Sequence, residues 1–146
     1  MKTVPYKQGI FRPINEIKYH GTRPIIYRSG LELRFYRWCD RNEKVKTWGS
    51  ESVIIPYISP KDGKVHRYFV DGILQLETMD GIKKYLVEIK PKAQLSAPKT
   101  TLKKKKSTIF YEQLQWAQNQ AKWDSANKWC EKNGYRFAIL TEEQLK

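Results

Sequence analysis

The sequence contains little of the chemistry from which zinc sites and disulfide frameworks are built. It has two cysteines, Cys39 and Cys130, two histidines, His20 and His66, and no Cys-x-x-Cys pair. That count makes a zinc site improbable. It does not exclude a Cys–His nucleophile pair, but no family signature surrounds either cysteine. Both stand beside aromatic residues in predicted helices, which favours buried, reduced thiols, and the lack of a disulfide framework indicates a reducing cytoplasm.

Long apolar segments are also missing. No run approaches the roughly 20 apolar residues that a membrane-spanning helix needs. The first seven residues, MKTVPYK, lack the apolar stretch of a secretory signal. We therefore expect no membrane partner.

Positive charge, in contrast, is abundant. Lys and Arg number 28 against 15 Asp and Glu, which gives a formal net charge of +13. A surface of this kind attracts polyanions, and nucleic acid is the leading candidate. Charge alone leaves open the alternative that the surface is basic only for solubility.

The length and the apolar content suit one globular domain. The chain has 146 residues, of which 40% are hydrophobic and 13% aromatic, enough for a substantial core. Three prolines, Pro5, Pro13 and Pro24, are distributed along the first part of the chain. We expect an irregular basic N-terminal arm over residues 1–26 and a folded domain over residues 27–146.

Turn and capping signals divide this domain into six elements. Ser29 followed by Glu32 is a capping box that opens a helix ending near residues 40–42. The pattern then predicts strands over 53–58, 66–76 and 84–90, a long helix over 107–132 and a strand over 135–140. We expect the first three strands to form an antiparallel meander and the fourth to join in parallel after the long helix. The predicted fold class is therefore α/β (α+β), a mixed central sheet flanked by a helix on each face.

Four charged residues could meet on this sheet. Glu88 and Lys90 share one face of a strand because they are two residues apart. Asp71 lies in the preceding predicted strand, and Glu32 on a helix packed against the sheet. Hydrolysis of a phosphodiester needs carboxylates for a divalent metal and a cation for the phosphate, which this set supplies.

Each member also has a purely structural interpretation. Glu32 is half of the Ser29 capping box, and Asp71 with Gly72 is typical of a turn. Glu88 and Lys90 also fit a solvated strand face. The strand setting, the element order and the basic charge together favour the nuclease interpretation.

Several segments carry a resemblance to known proteins. Val70-Asp71 and Glu88-Ile89-Lys90 resemble the motif of the PD-(D/E)XK, or restriction endonuclease-like, superfamily. Segments between residues 27 and 91 resemble the head completion nucleases of T-even-like tailed phages; they are Tyr27–Glu32, Trp48–Glu51, Ile55–Tyr57, His66–Asp71 and Leu86–Pro91. Weaker similarity continues to residue 142, and the TnsA transposase nuclease has a comparable layout. The sequence departs from the motif at Val70, in place of proline, and at Gly72, where an apolar residue is usual.

The resemblance implies a restriction endonuclease-like αβββαβ core and Mg²⁺-dependent DNA cleavage. Asp71 and Glu88 would be metal ligands, Glu32 would assist the metal, and Lys90 would act at the attacking water and phosphate. The phage relatives act after DNA packaging and before tail attachment. This implies a place in the virion at the head–tail junction, besides the host cytoplasm, with portal or neck proteins as further partners.

Lysines elsewhere are candidate DNA contacts. A basic loop beside the site would grip phosphates without reading sequence. The candidates are Lys92, Lys103, Lys104, Lys105, Lys106 and Lys122. A solvated loop is the alternative for the run from 103 to 106. Trp116 and Trp123, seven residues apart on the long helix, are expected to be core residues rather than base-stacking platforms.

Two other functions remain open at this point. One is a non-catalytic virion adaptor that binds DNA or an acidic connector surface, with the carboxylates as relics. The other is an RNA-binding module, for which the sequence offers no aromatic RNP strand, KH loop or zinc knuckle.

Overall fold

A four-stranded mixed sheet forms the centre of the fold in the computed structural model, which describes residues 8–146. The elements are β1 Gly9–Phe11, β2 Ile25–Tyr27, α1 Gly30–Arg41, β3 Val45–Ser50, β4 Ile54–Ile58, β5 Val65–Phe69, β6 Gly72–Thr78, β7 Gly81–Ile89, α2 Lys106–Asn133 and β8 Arg136–Leu140. Short 3-10 helices cover Glu16–Lys18 and Lys92–Leu95.

The sheet has the strand order β3-β6-β7-β8. Its first three strands pair antiparallel, and β8 pairs parallel with β7 after the long helix α2. The core thus runs α1-β3-β6-β7-α2-β8, which confirms the predicted αβββαβ order and the mixed sheet. The β4–β5 hairpin is inserted between the first two core strands as a separate two-stranded sheet.

The predicted meander is wrong in its first two strands. The first core strand is β3, which was not predicted because apolar residues in Val45–Ser50 are sparse and the segment ends in Gly-Ser. The segment predicted as one strand over 66–76 is two strands in different sheets. The break falls at Val70 and Asp71, where the chain leaves the hairpin and Asp71 O accepts a hydrogen bond from Glu51 N.

The two helices cover opposite faces of the sheet, as expected. Phe35 and Cys39 of α1 pack with Val87 and Ile89 of β7 in one buried cluster. Leu86, one residue away in the same strand, packs with α2 in the other cluster. Successive residues of a strand point to opposite faces, so β7 separates two cores. Both cysteines are buried and free, as predicted.

Capping residues define the helix ends that the sequence indicates. The Ser29 side chain accepts a hydrogen bond from Glu32 N at 3.1 Å at the start of α1. Gly134 ends α2 in the left-handed conformation at φ 77°, which glycine adopts at little cost. No helix within residues 8–146 is long and apolar enough to cross a bilayer.

The described part of the predicted arm, residues 8–26, lies on the domain and is more regular than expected. Strands β1 and β2 pair antiparallel, and Tyr19 and Ile25 enter the α1-side core. The Asp40 carboxylate accepts hydrogen bonds from two backbone N–H groups of this segment. The boundary at residue 26 stays a prediction, and residues 1–7 of the arm lie outside the described residues.

Candidate active site

Asp71 lies immediately before β6, beside the end of β7. In the β6–β7 ladder Gly72 faces Val87, so one further step along the same register sets Asp71 opposite Glu88. The Asp71 carboxylate accepts a hydrogen bond from Ile89 N through Oδ2 at 2.8 Å. This contact fixes the side chain against the end of β7. The two carboxylates predicted to bind metal therefore occupy facing positions on neighbouring strands.

Close packing beneath Asp71 explains the glycine that follows it. A Cβ atom on Gly72 would stand 2.6 Å from Cε2 of Phe35, closer than side-chain carbons approach one another. The Phe35 ring of α1 is fully buried at this point. Gly72 thus departs from the motif because α1 packs directly onto the strand there.

Glu88 is a buried acid held between two neighbours. Its flanking residues in β7 enter the α1-side core, and alternation turns the Glu88 side chain towards the α2 side of the sheet. There the Tyr68 hydroxyl donates a hydrogen bond to Glu88 Oε1 at 2.5 Å. Lys90 Nζ lies 3.7 Å from Glu88 Oε2. Glu88 and Lys90 therefore share one face, as predicted.

Glu32 lies in the first turn of α1, and its part in metal binding stays a prediction. Its Oε1 accepts a hydrogen bond from Arg28 N at 2.8 Å, and its own N–H is capped by Ser29. The carboxylate is partly withdrawn from water, and burial raises its pKa, although the Arg28 contact opposes this effect. Its charge also interacts with that of Asp71. Glu32 therefore borders the acidic pair while capping α1.

The Asp71 carboxyl is buried beside other acidic groups. Burial raises the pKa of the Asp71 carboxyl well above its ordinary value, and the neighbouring charge of Glu88 raises it further. The Ile89 hydrogen bond and the Lys90 ammonium oppose this rise only in part. Burial and the charge of Glu88 thus make ionisation of Asp71 unfavourable in the protein alone.

The donor chemistry fits a hard divalent cation. Carboxylate oxygens are the ligands that Mg²⁺ prefers, and this ion commonly keeps several waters while only one or two carboxylates hold it. Asp71 and Glu88 form such a pair. Among residues 8–146 no three Asp, Glu, His or Cys side chains are grouped closely enough to hold a metal together. Glu32 does not complete a three-carboxylate cage in this conformation because it turns back to Arg28.

Lys122 is the predicted DNA contact that lies nearest to this pair. Its Nζ is 5.6 Å from the Tyr68 ring and 5.9 Å from the Tyr57 ring. Burial lowers the pKa of Lys122, while the charges of Glu88 and Asp71 raise it. Lys122 therefore extends from α2 over the ring of Tyr68, whose hydroxyl donates a hydrogen bond to Glu88.

The remaining predicted lysines fall into two groups. Lys92 Nζ contacts Glu143 at 2.8 Å, and Lys104 Nζ contacts Glu112 at 2.7 Å. These two charges already have acidic partners. Lys103, Lys105 and Lys106 are exposed at the start of α2, and none of them forms an ion pair with another described residue. Contact of any of these lysines with DNA stays a prediction.

Sequence reasoning missed two features of the site. Tyr68 was not singled out, since nothing in a strand pattern shows that its hydroxyl reaches Glu88 in another sheet. Trp123 belongs to the α2-side core as expected. Trp116 does not: it is partly buried and lines a cleft beside Lys90. The seven-residue spacing gave both tryptophans the same face but could not show where the core ends.

Comparisons with known proteins identify the family of the chain. Residues 42–142 match the family model described as TnsA-like endonuclease N terminal. The chain is also 38% identical over 144 residues to the head completion nuclease of Enterobacteria phage T4, an alignment that covers 94% of this chain and 93% of that protein. The range matched by the family model, residues 42–142, contains three of the four predicted catalytic residues, all except Glu32.

Proposed function

The chain belongs to the family of TnsA-like endonuclease N-terminal domains, and from this premise we propose that it is a metal-dependent endonuclease of the PD-(D/E)XK type that hydrolyses DNA. The catalytic residues in this proposal are Asp71, Glu88, Lys90 and Glu32. The substrate follows from the net charge of +13, which favours association with a polyanion.

One observation carries the proposal. Asp71 and Glu88 face each other at the end of the β6–β7 ladder, and Lys90 Nζ lies 3.7 Å from Glu88 on the same side of the sheet. Three groups from two strands thus converge beside a cleft that opens to solvent. A solvated strand face does not account for the burial of Glu88, which is 5% exposed.

Asp71 and Glu88 would hold the divalent cation, and we propose Mg²⁺. The ion, when bound, supplies positive charge for the phosphate and lowers the pKa of a coordinated water. The two carboxylates are suited to bind it because a bound cation would offset the unfavourable ionisation of the buried Asp71 beside Glu88. Glu32 would add negative charge next to this pair while its carboxylate still accepts the hydrogen bond from Arg28 N.

The lysines of the site would bind the substrate rather than the metal. Lys90 extends from β7 beside Glu88, where its ammonium group can bind the scissile phosphate and stabilise the negative charge that develops on it. Lys122 lies over Tyr68 on the same side and would bind an adjacent phosphate. Both cations lose part of their hydration there, which strengthens their attraction for phosphate.

The similarity to a head completion nuclease supports a more specific biological role. We propose that the protein acts in completion of a phage head, after DNA packaging and before tail attachment, at the head–tail junction of the virion and in the host cytoplasm. Portal or neck proteins would then be its partners.

Cleavage of DNA by matched variants tests the enzymatic proposal. Wild-type protein with Mg²⁺ should cut or nick DNA, and Asp71→Asn and Lys90→Ala should each lower the rate by about 100-fold or more, as expected for loss of a group that binds the metal or stabilises transition-state charge. Asp124→Asn and Lys128→Ala make the same charge changes at exposed positions of α2 and should leave the rate unchanged.

Thermal unfolding must show that all four variants are folded. Cleavage that persists at the wild-type rate in Asp71→Asn and Lys90→Ala would end the proposal. Salt-sensitive DNA binding without cleavage under any divalent metal would instead favour the non-catalytic adaptor.

A further inference from the structure

A cleft of about 430 Å³ opens beside Lys90 between α2 and the segment that connects β7 to α2. Its lining combines three lysines and the Glu112 carboxylate, which pairs with Lys104, with aromatic and amide side chains. These side chains include Lys90, Lys122, Tyr111, Trp116 and Asn119. The volume falls within the range of pockets that bind small organic groups. Because Lys90 belongs to both, the cleft begins at the proposed active site.

Two aromatic rings in this cleft have no role in the core. Trp116 lies in neither of the two buried clusters of the described chain. Tyr111 is 58% exposed, and Lys61 Nζ stands 5.6 Å from its ring. Lys61 covers one face of the Tyr111 ring. Aromatic rings beside basic side chains stack with bases in proteins that bind single-stranded nucleic acid.

Positive charge surrounds these rings on several sides. Lys104 Nζ is fixed by Glu112 at 2.7 Å and by the carbonyl of Lys99 at 2.8 Å. Lys61 contacts Gln115 at the outer rim. Lys90 and Lys122 lie at the inner end. A ligand that binds these lysines and stacks with these rings needs an anionic group next to a planar group. A nucleotide has both, in its phosphate and its base.

The concave shape distinguishes an unpaired nucleotide from duplex DNA. In a duplex, both faces of each base are stacked on neighbouring bases, so a side chain beside the helix reaches only phosphates, sugars and base edges. A base can lie against Trp116 or Tyr111 inside a cleft only after it leaves the stack. Asn119 offers a donor and an acceptor to the edge of such a base.

Resting on the proposed nuclease function, we propose that this cleft binds an unpaired nucleotide of the substrate, next to the phosphate held at Lys90. The favoured substrate is then DNA with a single-stranded segment, such as a frayed end, overhang or fork, rather than a fully paired duplex. Lys122 binds a phosphate of that nucleotide, and the rings of Trp116 and Tyr111 stack with its base.

Fluorescence of 2-aminopurine provides a test that does not depend on cleavage. A duplex with a single-stranded extension carries the probe at successive unpaired positions, and the protein is added in EDTA. We expect stacking in the cleft to quench the probe at one or two positions next to the junction. Trp116→Leu keeps an apolar side chain of substantial size but removes the ring, and it should abolish this quenching, as should Tyr111→Leu in combination with it.

The same variants define the expected change in affinity. Wild-type protein should bind the extended duplex more tightly than a blunt duplex of equal length. The double variant should lose about 5- to 140-fold of that preference, which corresponds to about 1–3 kcal/mol for one stacked base at 1.4 kcal/mol per tenfold change. Phe110→Leu is the control, because Phe110 is a 64% exposed aromatic residue of the same helix that lies outside the cleft lining.

The outcomes separate this inference from the proposed function. Unchanged quenching and preference in the folded double variant, or equal wild-type affinity for blunt and extended DNA, would overturn the cleft assignment even if the wild type cuts DNA. Quenching that depends on Trp116 and Tyr111 but not on Phe110 would support it even if no cleavage is detected, in which case only the enzymatic proposal fails.

Discussion

Asp40 and Asp71 are two acidic side chains withdrawn from water in opposite circumstances. Asp40, near the end of α1, is 1% exposed and accepts hydrogen bonds from Ile14 N and Asn15 N at 2.9 Å each. Asp71 accepts a hydrogen bond from Ile89 N and has Glu88 and Glu32 as charged neighbours. The first carboxylate ties the N-terminal segment to the domain. The second lies beside two further acidic groups, and burial opposes its ionisation.

The comparison shows how a structural acid differs from a candidate catalytic one. A buried carboxylate that accepts hydrogen bonds from nearby N–H groups stabilises the fold, because its donors also need a partner. Acids grouped without enough donors destabilise the fold until a cation joins them. Burial alone does not distinguish a structural acid from a candidate catalytic acid. The chemistry of the nearest partners distinguishes them.

The largest effect on stability is expected at the structural acid. Asp40→Ala removes the acceptor for two backbone N–H groups and should lower the free energy of unfolding by about 3 kcal/mol, since hydrogen bonds to a charged group contribute about 1.5–3 kcal/mol each and are not additive. Chemical denaturation measures the change. Asp124→Ala, at an exposed position, serves as control. An equally small effect in both variants would break the contrast drawn here.

Removal of the hydroxyl that holds Glu88 should act on metal affinity rather than on the fold. Tyr68→Phe leaves Glu88 without the donor at 2.5 Å and frees it to take other orientations. Groups that orient a metal ligand typically contribute about 10- to 100-fold to affinity. Titration calorimetry with Mg²⁺ or Mn²⁺ should show a loss of this size in Tyr68→Phe.

The control for this change is Tyr111→Phe, which removes a hydroxyl from an exposed tyrosine and should leave metal affinity as it is. If Tyr68→Phe binds the ions as tightly as the wild type, the hydrogen bond does not position Glu88.

Neutralising Asp71 should raise the free energy of unfolding, whereas Asp40→Ala should lower it. In EDTA, Asp71→Asn keeps an oxygen acceptor for Ile89 N but removes a charge whose pKa is raised by burial and Glu88. Above the folded-state pKa the variant should be more stable than the wild type, by about 1.4 kcal/mol for each unit of that rise.

The pH dependence of that difference follows from linkage. Well below pH 3.9, Asp71 is protonated in both states and the two proteins should have similar stability. As the pH rises from the unfolded pKa, about 3.9, through the raised folded pKa, the folded wild type retains its proton while the unfolded chain releases it. Wild-type stability therefore falls relative to the variant. Denaturation at several pH values that shows a constant or reversed difference would contradict the account of Asp71.

The smallest effects are expected at the lysines outside the candidate active site, where the same contrast between paired and unpaired charge recurs. Lys105→Ala removes an exposed cation without a described ion pair and should reduce the slope of log affinity against log salt by about 0.9, the value for one phosphate contact. Lys92→Ala should change it less, because Lys92 already contacts Glu143 at 2.8 Å. DNA-binding titrations across a salt series measure both slopes, and equal slopes would show that the ion pair does not compete with phosphate.

Local signals were sufficient for several elements of the fold. The Ser29 capping box, the Asn-Gly stop after α2 and the apolar alternation of β7 are properties of a few neighbouring residues, and each appears in the structure where it was predicted. The split of residues 66–76 between two sheets was beyond such signals. The residues on both sides of Asp71 favour extended backbone, and only pairing with β4 on one side and β7 on the other decides where the strand breaks.

The sequence by itself determined the order of elements, the shared face of Glu88 and Lys90, and the basic character of the surface, because these depend on spacing and composition. Only the tertiary structure decided that Asp71 faces Glu88, that Tyr68 from the inserted hairpin holds Glu88, and that Trp116 lines a cleft instead of the core. These three facts join residues far apart in the chain, and contacts of that kind are fixed by strand register and helix packing rather than by any local pattern.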